Sequence, residues 1–377
     1  MPHASLRALA ESFADLPDPR VERTRKHELL DILTIAIFAV VAGADSFTDI
    51  EEYGNAKVAW LRGFLALPNG IPSHDTFGRV FALLDPERFA ASLTDWVAQS
   101  VGLVRAPHIA VDGKTLRRAH DRANGQEALH LLSAWATESG ISLGQLQVAD
   151  HENEIVALPA LLEQVGLPGA VVSIDAMGCQ RAVARTITEA GGEYVLALKG
   201  NQPELHQAVT ALFADGPEGI AAETVTADQT VDGGHGRVER RECWAATDPA
   251  LIAYLDPTGR WPGLQSVAMV KSRRIIGDMV QTETRYYLSS LPADARRLNA
   301  LVRTHWRIEN QLHWVLDVVF DEDQSRIRSG YADQNFAALR RFAVSLLTQD
   351  TTRKLGKHAK RLRAGWDNDY LLQLLTQ

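Results

Sequence analysis

HIAVD (108–112) and AVVSID (170–175) are each a short apolar run that ends in an aspartate. Around them, alternating or continuous apolar residues predict strands over 108–112, 128–137, 141–149, 170–174 and 194–198. Helical spacing predicts helices over 155–165 and 181–190. The resulting order, βββαβαβ, indicates an α/β fold with a mixed sheet.

The segments on either side of this unit have different patterns. The dense apolar run Leu29–Val41 predicts a buried helix, and Asp85-Pro86 is typical of a helix start, so residues 1–104 are expected to form an all-helical domain. Residues 201–292 hold short strand-like runs at 223–226, 266–271 and 282–289, and predict a β-rich insertion. An apolar stripe from Leu298 to Val319 predicts one long helix from about Asp294, followed by a helical C-terminal region.

Charge gives no general argument for a nucleic-acid partner. The 377 residues include 39 Lys+Arg and 47 Asp+Glu, for a formal charge of −8. Residues 324–363, however, carry ten Lys/Arg against Asp333 and Asp350, and are locally +8. This segment is interpreted either as a phosphate-binding surface or as a solvated helix face, and charge alone does not decide between them.

Two features bear on the compartment. Cys179 and Cys243 lie far apart in sequence, which suggests neither a disulfide framework nor a cysteine zinc site. The run Leu29–Ala42 contains Asp31 and is too short to cross a bilayer, and the first residues lack the pattern of a secretory signal. We therefore expect a cytoplasmic protein without a membrane partner.

Asp112 and Asp175 end the first and fourth predicted strands. If these strands are parallel neighbours, the two carboxylates lie side by side, where repulsion favours a bound divalent cation such as Mg²⁺. Asp112-Gly113 alone is equally well explained as turn chemistry. Glu309, on the predicted long helix, is the candidate for a third acid, with Asp317 and Glu322 as alternatives.

A different metal site is also compatible with this helix. His305, Glu309 and His313 recur every four residues, a spacing that can bind zinc or iron on one helix face. No second motif supplies the remaining ligands, so this interpretation has less support. Trp306 and Trp314 flank Glu309 and fit helix packing better than base stacking.

Several ordered motifs resemble those of DDE transposases of bacterial insertion sequences, in the group related to the H-repeat-associated proteins. The N-terminal part contains LPDPR (16–20), HELLDIL (27–33) and GIPSHDTFGRVF (70–81). The remainder contains AVDGKTLR (110–117), SIDAMGCQ (173–180), YVLALKGNQ (194–202), GHGRVERR (234–241) and HWRIENQLHWVLDVVFDED (305–323). The resemblance covers nearly the whole chain.

This resemblance implies a ribonuclease H-like catalytic core at 105–350, with the β-rich insertion at 201–292, between the helical domain at 1–104 and a basic tail at 351–377. It implies that Asp112, Asp175 and Glu309 are the catalytic, metal-binding acids, which hold two Mg²⁺ or Mn²⁺ ions. The expected activity is cleavage at the element ends and transfer of the 3′-hydroxyl into target DNA, by a homodimer or higher assembly on DNA. In sister groups an Arg and a Lys accompany the glutamate, but here those positions are His305 and Leu316, so the accessory roles do not carry over.

The DNA contacts are expected on basic and amide side chains in the loops after the strands, in the insertion and after the acidic motif. These residues are Lys114, Arg117, Arg118, Lys199, Asn201, Gln202, His235, Arg237, Arg240, His305, Arg326 and Arg328. Two other functions remain open on sequence: a domesticated DNA-binding protein without catalysis, and a metal-dependent nuclease without strand transfer.

Overall fold

The computed structural model describes residues 2–101, 106–119, 128–148, 153–214, 224–234 and 237–375. The predicted site residue His235, the predicted strand ends at Ala149 and Glu223, and the predicted domain boundary at 104–105 lie outside these ranges. The chain divides into two compact units: residues 1–105, 113–151 and 309–377 form unit 1, and residues 106–112 and 152–308 form unit 2.

Unit 1 is mainly helical. Its elements are α1 (Pro2–Ser12), α2 (Leu29–Val41), α3 (Phe47–Leu61), α4 (His74–Leu83), α5 (Pro86–Val101), the antiparallel hairpin β2 (His130–Ala136) and β3 (Ile141–Gln147), α11 (Trp314–Val319), α12 (Ala332–Gln349), α13 (Lys357–Trp366) and α14 (Asn368–Leu374). α2 is buried from Asp31 to Val41 and packs against α3, α12 and α13, as expected for a central helix.

α12 and α13 place basic residues in the interior of unit 1. Arg340, Arg341, Lys360 and Arg361 are between 1% and 6% exposed. Arg341 pairs with Glu322 at 2.9 Å, and Arg361 pairs with Asp45 at 2.6 Å. For these four of the ten basic residues in 324–363, the interpretation as a solvated helix face is therefore wrong, because tertiary contacts bury them.

Unit 2 is built on a mixed sheet. Its elements are the first part of β1 (His108–Thr115), α6 (Glu154–Glu163), β4 (Val171–Ile174), α7 (Arg181–Glu189), β5 (Glu193–Leu198), α8 (Pro203–Leu212), β6 (Val225–Gly234), β7 (Arg237–Ala246), α9 (Pro249–Leu255), β8 (Ser266–Ile276), β9 (Met279–Ser289) and α10 (Ala295–His305). The strand order in this unit is β1-β4-β5-β9-β8-β7-β6. β1, β4 and β5 are parallel, and the remaining pairs are antiparallel.

The chain order βββαβαβ is confirmed, and the strands of segment 201–292 add to the sheet through the pairing of β5 with β9. α10 packs its apolar face on the sheet through Leu298 and Val302. The two cysteines are fully buried in this unit, and burial raises the pKa of each thiol to about 12. Within the described ranges, we find no helix with the length and hydropathy needed to span a membrane.

The prediction of one helix from Asp294 to Val319 is wrong in its continuity. α10 ends at His305, a turn follows at Trp306, and Glu309–His313 form a π-helical turn before α11 begins at Trp314. The apolar spacing correctly predicts that Leu298 and Leu312 are buried, but it gives no information on a break in the helix between them. π-helical turns inside helices are frequent at functional sites.

Candidate functional site

Asp175 directly follows the end of β4, whereas Asp112 lies inside β1, just beyond the part of β1 that pairs with β4. The predicted end of the first strand at Asp112 is therefore wrong, because β1 continues to Thr115. Val111 of β1 is paired with Ile174 of β4, so the residue that follows each of them is one of the two aspartates. Neighbouring strands are about 4.8 Å apart. The register therefore places the backbones of the two aspartates next to each other, and a shared site for their carboxylates stays a prediction.

Asp175 is half-buried, and its surroundings favour its neutral form. Burial raises the pKa of its carboxyl group, and the nearby carboxylate of Glu154 raises it further. The Met177 backbone N–H donates to Oδ1 at 3.0 Å and, with the charge of Lys199, opposes the shift. A carboxylate of this kind becomes easier to ionise when a cation binds beside it.

Three buried polar side chains near Asp175 are joined by hydrogen bonds. The Ser173 hydroxyl is 2.7 Å from Nε2 of His108 and 2.8 Å from Nδ1 of His305. Burial, together with the charges of His305 and Arg307, lowers the pKa of His108 to about 3, so its ring is neutral at neutral pH. Sequence reasoning missed His108 and Ser173, although a polar residue inside an otherwise apolar strand is a signal that it needs a buried partner.

Ser173 and His305 border a small cavity of about 40 Å³, whose lining also includes Asp175 and Lys199. A cavity of this size holds about one water molecule or ion. Trp306 closes one side, with the Arg285 guanidinium 4.4 Å above its ring. The half-buried position of Trp306 agrees with the packing role expected from sequence, whereas Trp314 is 55% exposed.

Glu309 lies in the π-helical turn of unit 1. Its side chain is 56% exposed, and Oε2 is 3.0 Å from Nδ1 of His313. The hydrogen bond from His313 lowers the pKa of the carboxyl group, and the charge of Lys114 acts in the same direction. Glu309 is therefore an ionised, accessible carboxylate at neutral pH.

The two alternative acids are committed to internal contacts. Glu322 is fully buried against Arg341, and Asp317 forms an ion pair with Lys114 at 2.7 Å. Lys114 also pairs with Asp323 at 3.0 Å and is only 8% exposed. Among the three acids considered from sequence, Glu309 is thus the most available to a ligand.

The zinc or iron interpretation of His305, Glu309 and His313 depends on one regular helix. α10 ends at His305, and the π-helical turn changes the spacing beyond it. His305 is also only 6% exposed and bonds to Ser173. The regular helix face that this site requires is therefore not formed.

The residues predicted to contact DNA fall into three groups. The exposed ones among the described residues are Arg117, Arg118, Lys199, Asn201, Arg237, Arg240 and Arg326, while Gln202 and Arg328 are half-buried. Lys114 and His305 are buried, and each bonds to another side chain of its own unit, so DNA contact by these two residues stays a prediction.

Asn201 and Gln202 join the loop after β5 to the loop after Asp175. The Asn201 amide donates to the carbonyl oxygen of Ala176 at 2.5 Å, and the Gln202 amide donates to that of Cys179 at 3.1 Å. These bonds fix the backbone beside the carboxylates. The geometry therefore favours a positioning role for both amides over a direct DNA contact.

Comparison with known proteins identifies the family of the chain. Residues 105–347 match the model of the transposase DDE domain, and residues 10–97 match that of the domain associated with it. The chain belongs to the DDE transposase family. The match covers both aspartates and Glu309.

Individual relatives extend over most of the chain. The H repeat-associated putative transposase YhhI of Escherichia coli is 34% identical over 98% of this chain and 98% of its own length. The putative protein YbfL of the same organism is 35% identical over the same shares. An uncharacterized protein from the dhlA 3′ region of Xanthobacter autotrophicus is 47% identical over 75% of this chain and 94% of its own length.

Proposed function

We propose that this transposase cuts DNA at the ends of its insertion sequence and joins the freed 3′-hydroxyl to target DNA, with Asp112, Asp175 and Glu309 as the catalytic, metal-binding acids. The observation that carries the proposal is the pairing of Val111 with Ile174, which sets two aspartates next to each other in a member of a DDE transposase family. The exposed, ionised state of Glu309 supports it as the third acid.

The donor set fits divalent cations with oxygen ligands, Mg²⁺ or Mn²⁺. Asp112, Asp175 and Glu309 would hold these ions, which would supply activation of the attacking water and stabilisation of the leaving 3′ oxygen. Burial raises the pKa of Asp175, and a bound cation would reduce the electrostatic cost of ionising this carboxyl group.

In the proposed first step, water attacks the phosphorus at the element end, and the bond from phosphorus to the 3′ oxygen breaks. In the second step, the freed 3′-hydroxyl attacks a target phosphodiester and displaces its 3′ oxygen. The chain's own contribution is to hold the carboxylates: the Met177 N–H orients Asp175, and His313 holds Glu309. Lys199 would place a positive charge next to the scissile phosphate.

The test uses labelled duplex DNA that carries the terminal sequences of the element, with Mg²⁺ or Mn²⁺. The natural protein should cut at the ends and join them to a second DNA, and Asp112→Asn, Asp175→Asn and Glu309→Gln should each lose both activities. Glu163→Gln, at an exposed glutamate of α6, is the matched control and should remain active. Chelation of the metal should stop the reaction and added Mg²⁺ should restore it.

Other outcomes would assign a different function. Binding of the ends without cleavage under any divalent ion would identify a DNA-binding protein that has lost catalysis. Equal cleavage of unrelated duplexes without joining would identify a nuclease. Because two ends must be brought together, we also propose a dimer or higher assembly on DNA, acting in the cytoplasm.

A further inference from the structure

Unit 1 contains a cleft of about 660 Å³ that the proposed catalytic acids do not line. It is bordered by the start of α3, by α4, by the segment 324–329 and by one face of α12. A volume of this order lies within the range of ligand-binding clefts. The start of α3 adds the partial positive charge of a helix N-terminus.

Basic side chains from three separate parts of unit 1 converge on this cleft. Arg79 comes from α4, Arg326 and Arg328 from the segment before α12, and Arg340 from α12 itself. Arg79 and Arg326 are exposed, so their charges face solvent. His74 also lines the cleft, and its hydrogen bond to Glu51 raises its pKa.

Three aspartates line the same cleft, but they leave a positive balance. Asp45 is neutralised by Arg361, which lies outside the lining and donates to both of its oxygens at 2.6 and 3.3 Å. Asp75 lies beside His74 at 3.5 Å and is 77% exposed. With Asp321 as the remaining acid, the four arginines exceed the unpaired carboxylates.

The surroundings of Arg340 indicate that the cleft binds an anionic ligand. Its side chain is 1% exposed, and in the described part of the chain no carboxylate lies within ion-pair distance of it. One Nη donates to the Asp45 carbonyl oxygen at 3.3 Å, the guanidinium stacks on Phe336 at 4.5 Å, and Nε has no hydrogen-bond partner in the structure. The carboxylates of Glu322 and Asp45 favour its charged form from beyond ion-pair distance, but the unused Nε donor remains costly unless a ligand accepts a hydrogen bond from it.

Arg328 repeats this feature on the other side of the cleft. Its Nε is also buried without a hydrogen-bond partner, although the residue is only half-buried. Arginine donors arranged around a concave surface match the geometry of phosphate oxygens. The cleft therefore offers both the charge and the unused donors that a phosphate group would satisfy.

We propose that this arginine cleft of unit 1 binds a backbone phosphate of DNA, as an anchoring site separate from the catalytic carboxylates. The inference rests on the proposed function in taking DNA as the substrate. It assigns Arg326, Arg328 and Arg340 to phosphate contact, which fixes register but reads no base. Arg340 would contact the phosphate from the interior of the cleft, and Arg326 and Arg328 would contact it from the rim.

The test measures binding of a labelled end duplex by fluorescence polarisation, in EDTA, over a series of salt concentrations. The double variant Arg326→Gln/Arg328→Gln should bind roughly 10- to 100-fold more weakly, with a salt slope shallower by about 2. The matched control Arg353→Gln/Lys354→Gln removes the same charge from exposed positions of the same unit and should keep the natural slope. Equal slopes in the two double variants would overturn the proposal.

Arg340→Met removes the guanidinium, and with it both the charge and the stacking on Phe336. It should lose the thermal stabilisation that inorganic phosphate gives the natural protein at constant ionic strength, and retention of that stabilisation would count against the site. A parallel cleavage assay separates the two proposals. Cleavage and joining with an unchanged salt slope would refute the cleft alone, and cleft-dependent binding without cleavage under any divalent ion would refute the catalytic function alone.

Discussion

The substitution Glu322→Gln is expected to destabilise the protein strongly, whereas Glu309→Gln is expected to leave its stability almost unchanged. Glu322 is 0% exposed, and its carboxylate lies 2.9 Å from Arg341, which is itself buried. The same carboxylate also helps to keep the buried Arg340 charged, against burial that lowers its pKa to about 10. Removing it leaves two buried cations without their main counter-charge.

The size of the effect follows from this geometry. Breaking one buried ion pair by removing a single partner costs about 3–5 kcal/mol. Arg341 would keep its contacts with the Ser133 hydroxyl and the Ala337 carbonyl at 3.2 Å, so we expect a value near 3 kcal/mol. Glu309 is 56% exposed and bonds only to a histidine among the contacts described, so its replacement should cost less than about 1 kcal/mol.

Urea unfolding followed by circular dichroism measures both variants under the same conditions. With a slope of about 3 kcal/mol per molar urea, Glu322→Gln should lower the midpoint by roughly 1 M, and Glu309→Gln by less than about 0.3 M. Activity should show the opposite order at low temperature, where both proteins are folded: Glu309→Gln inactive and Glu322→Gln active. A stable but inactive Glu322→Gln would refute the assignment of the third acid.

Three further perturbations test the hydrogen-bonded polar side chains of unit 2 and a backbone turn of unit 1. Ser173→Ala removes the hydroxyl between two buried histidines and should cost about 1–3 kcal/mol by thermal denaturation; Ser173→Thr, which keeps a hydroxyl, should cost less. Folding depresses the pKa of His108 from 6.5 to about 3, so between these values the unfolded chain binds one more proton than the folded chain. The free energy of unfolding should therefore decrease by about 1.4 kcal/mol per pH unit as the pH is lowered from roughly 6 to 4. His108→Gln should lose that slope, and an unchanged slope would contradict the assignment. Gly330 has φ +53°, and an added Cβ would clash with the Ala82 carbonyl oxygen, so Gly330→Ala should lower the melting temperature, whereas Gly356→Ala, at an open position with ordinary φ, should not.

Local patterns were sufficient for much of the fold. The apolar run Leu29–Val41 predicts α2 to the residue, because so dense an apolar helix is buried, Glu28 precedes it and Gly43 follows its C-terminal end. Asp175 could be placed for a similar reason, since it directly follows an apolar strand, whereas β1 continues past Asp112 to Thr115.

Features that depend on distant partners could not be predicted. Arg341 and Arg361 look like surface charges in the sequence, and only Glu322 and Asp45, brought near by folding, explain their burial. The turn at Trp306 and the π-helical turn that holds Glu309 also leave no mark in apolar spacing, because the buried positions on either side still fit a helical period. The sequence therefore identified the candidate acids better than it identified their surroundings.

The burial of both native thiols has a practical consequence for studying movement on DNA. Cys179 and Cys243 are 0% exposed, and thiols with a pKa near 12 carry almost no thiolate at neutral pH. Maleimide dyes react with the thiolate of accessible cysteines, so the natural protein should resist labelling. A single cysteine introduced at an exposed position, such as Ser329 beside the arginine cleft, would then carry the fluorophore alone, without replacement of the native cysteines.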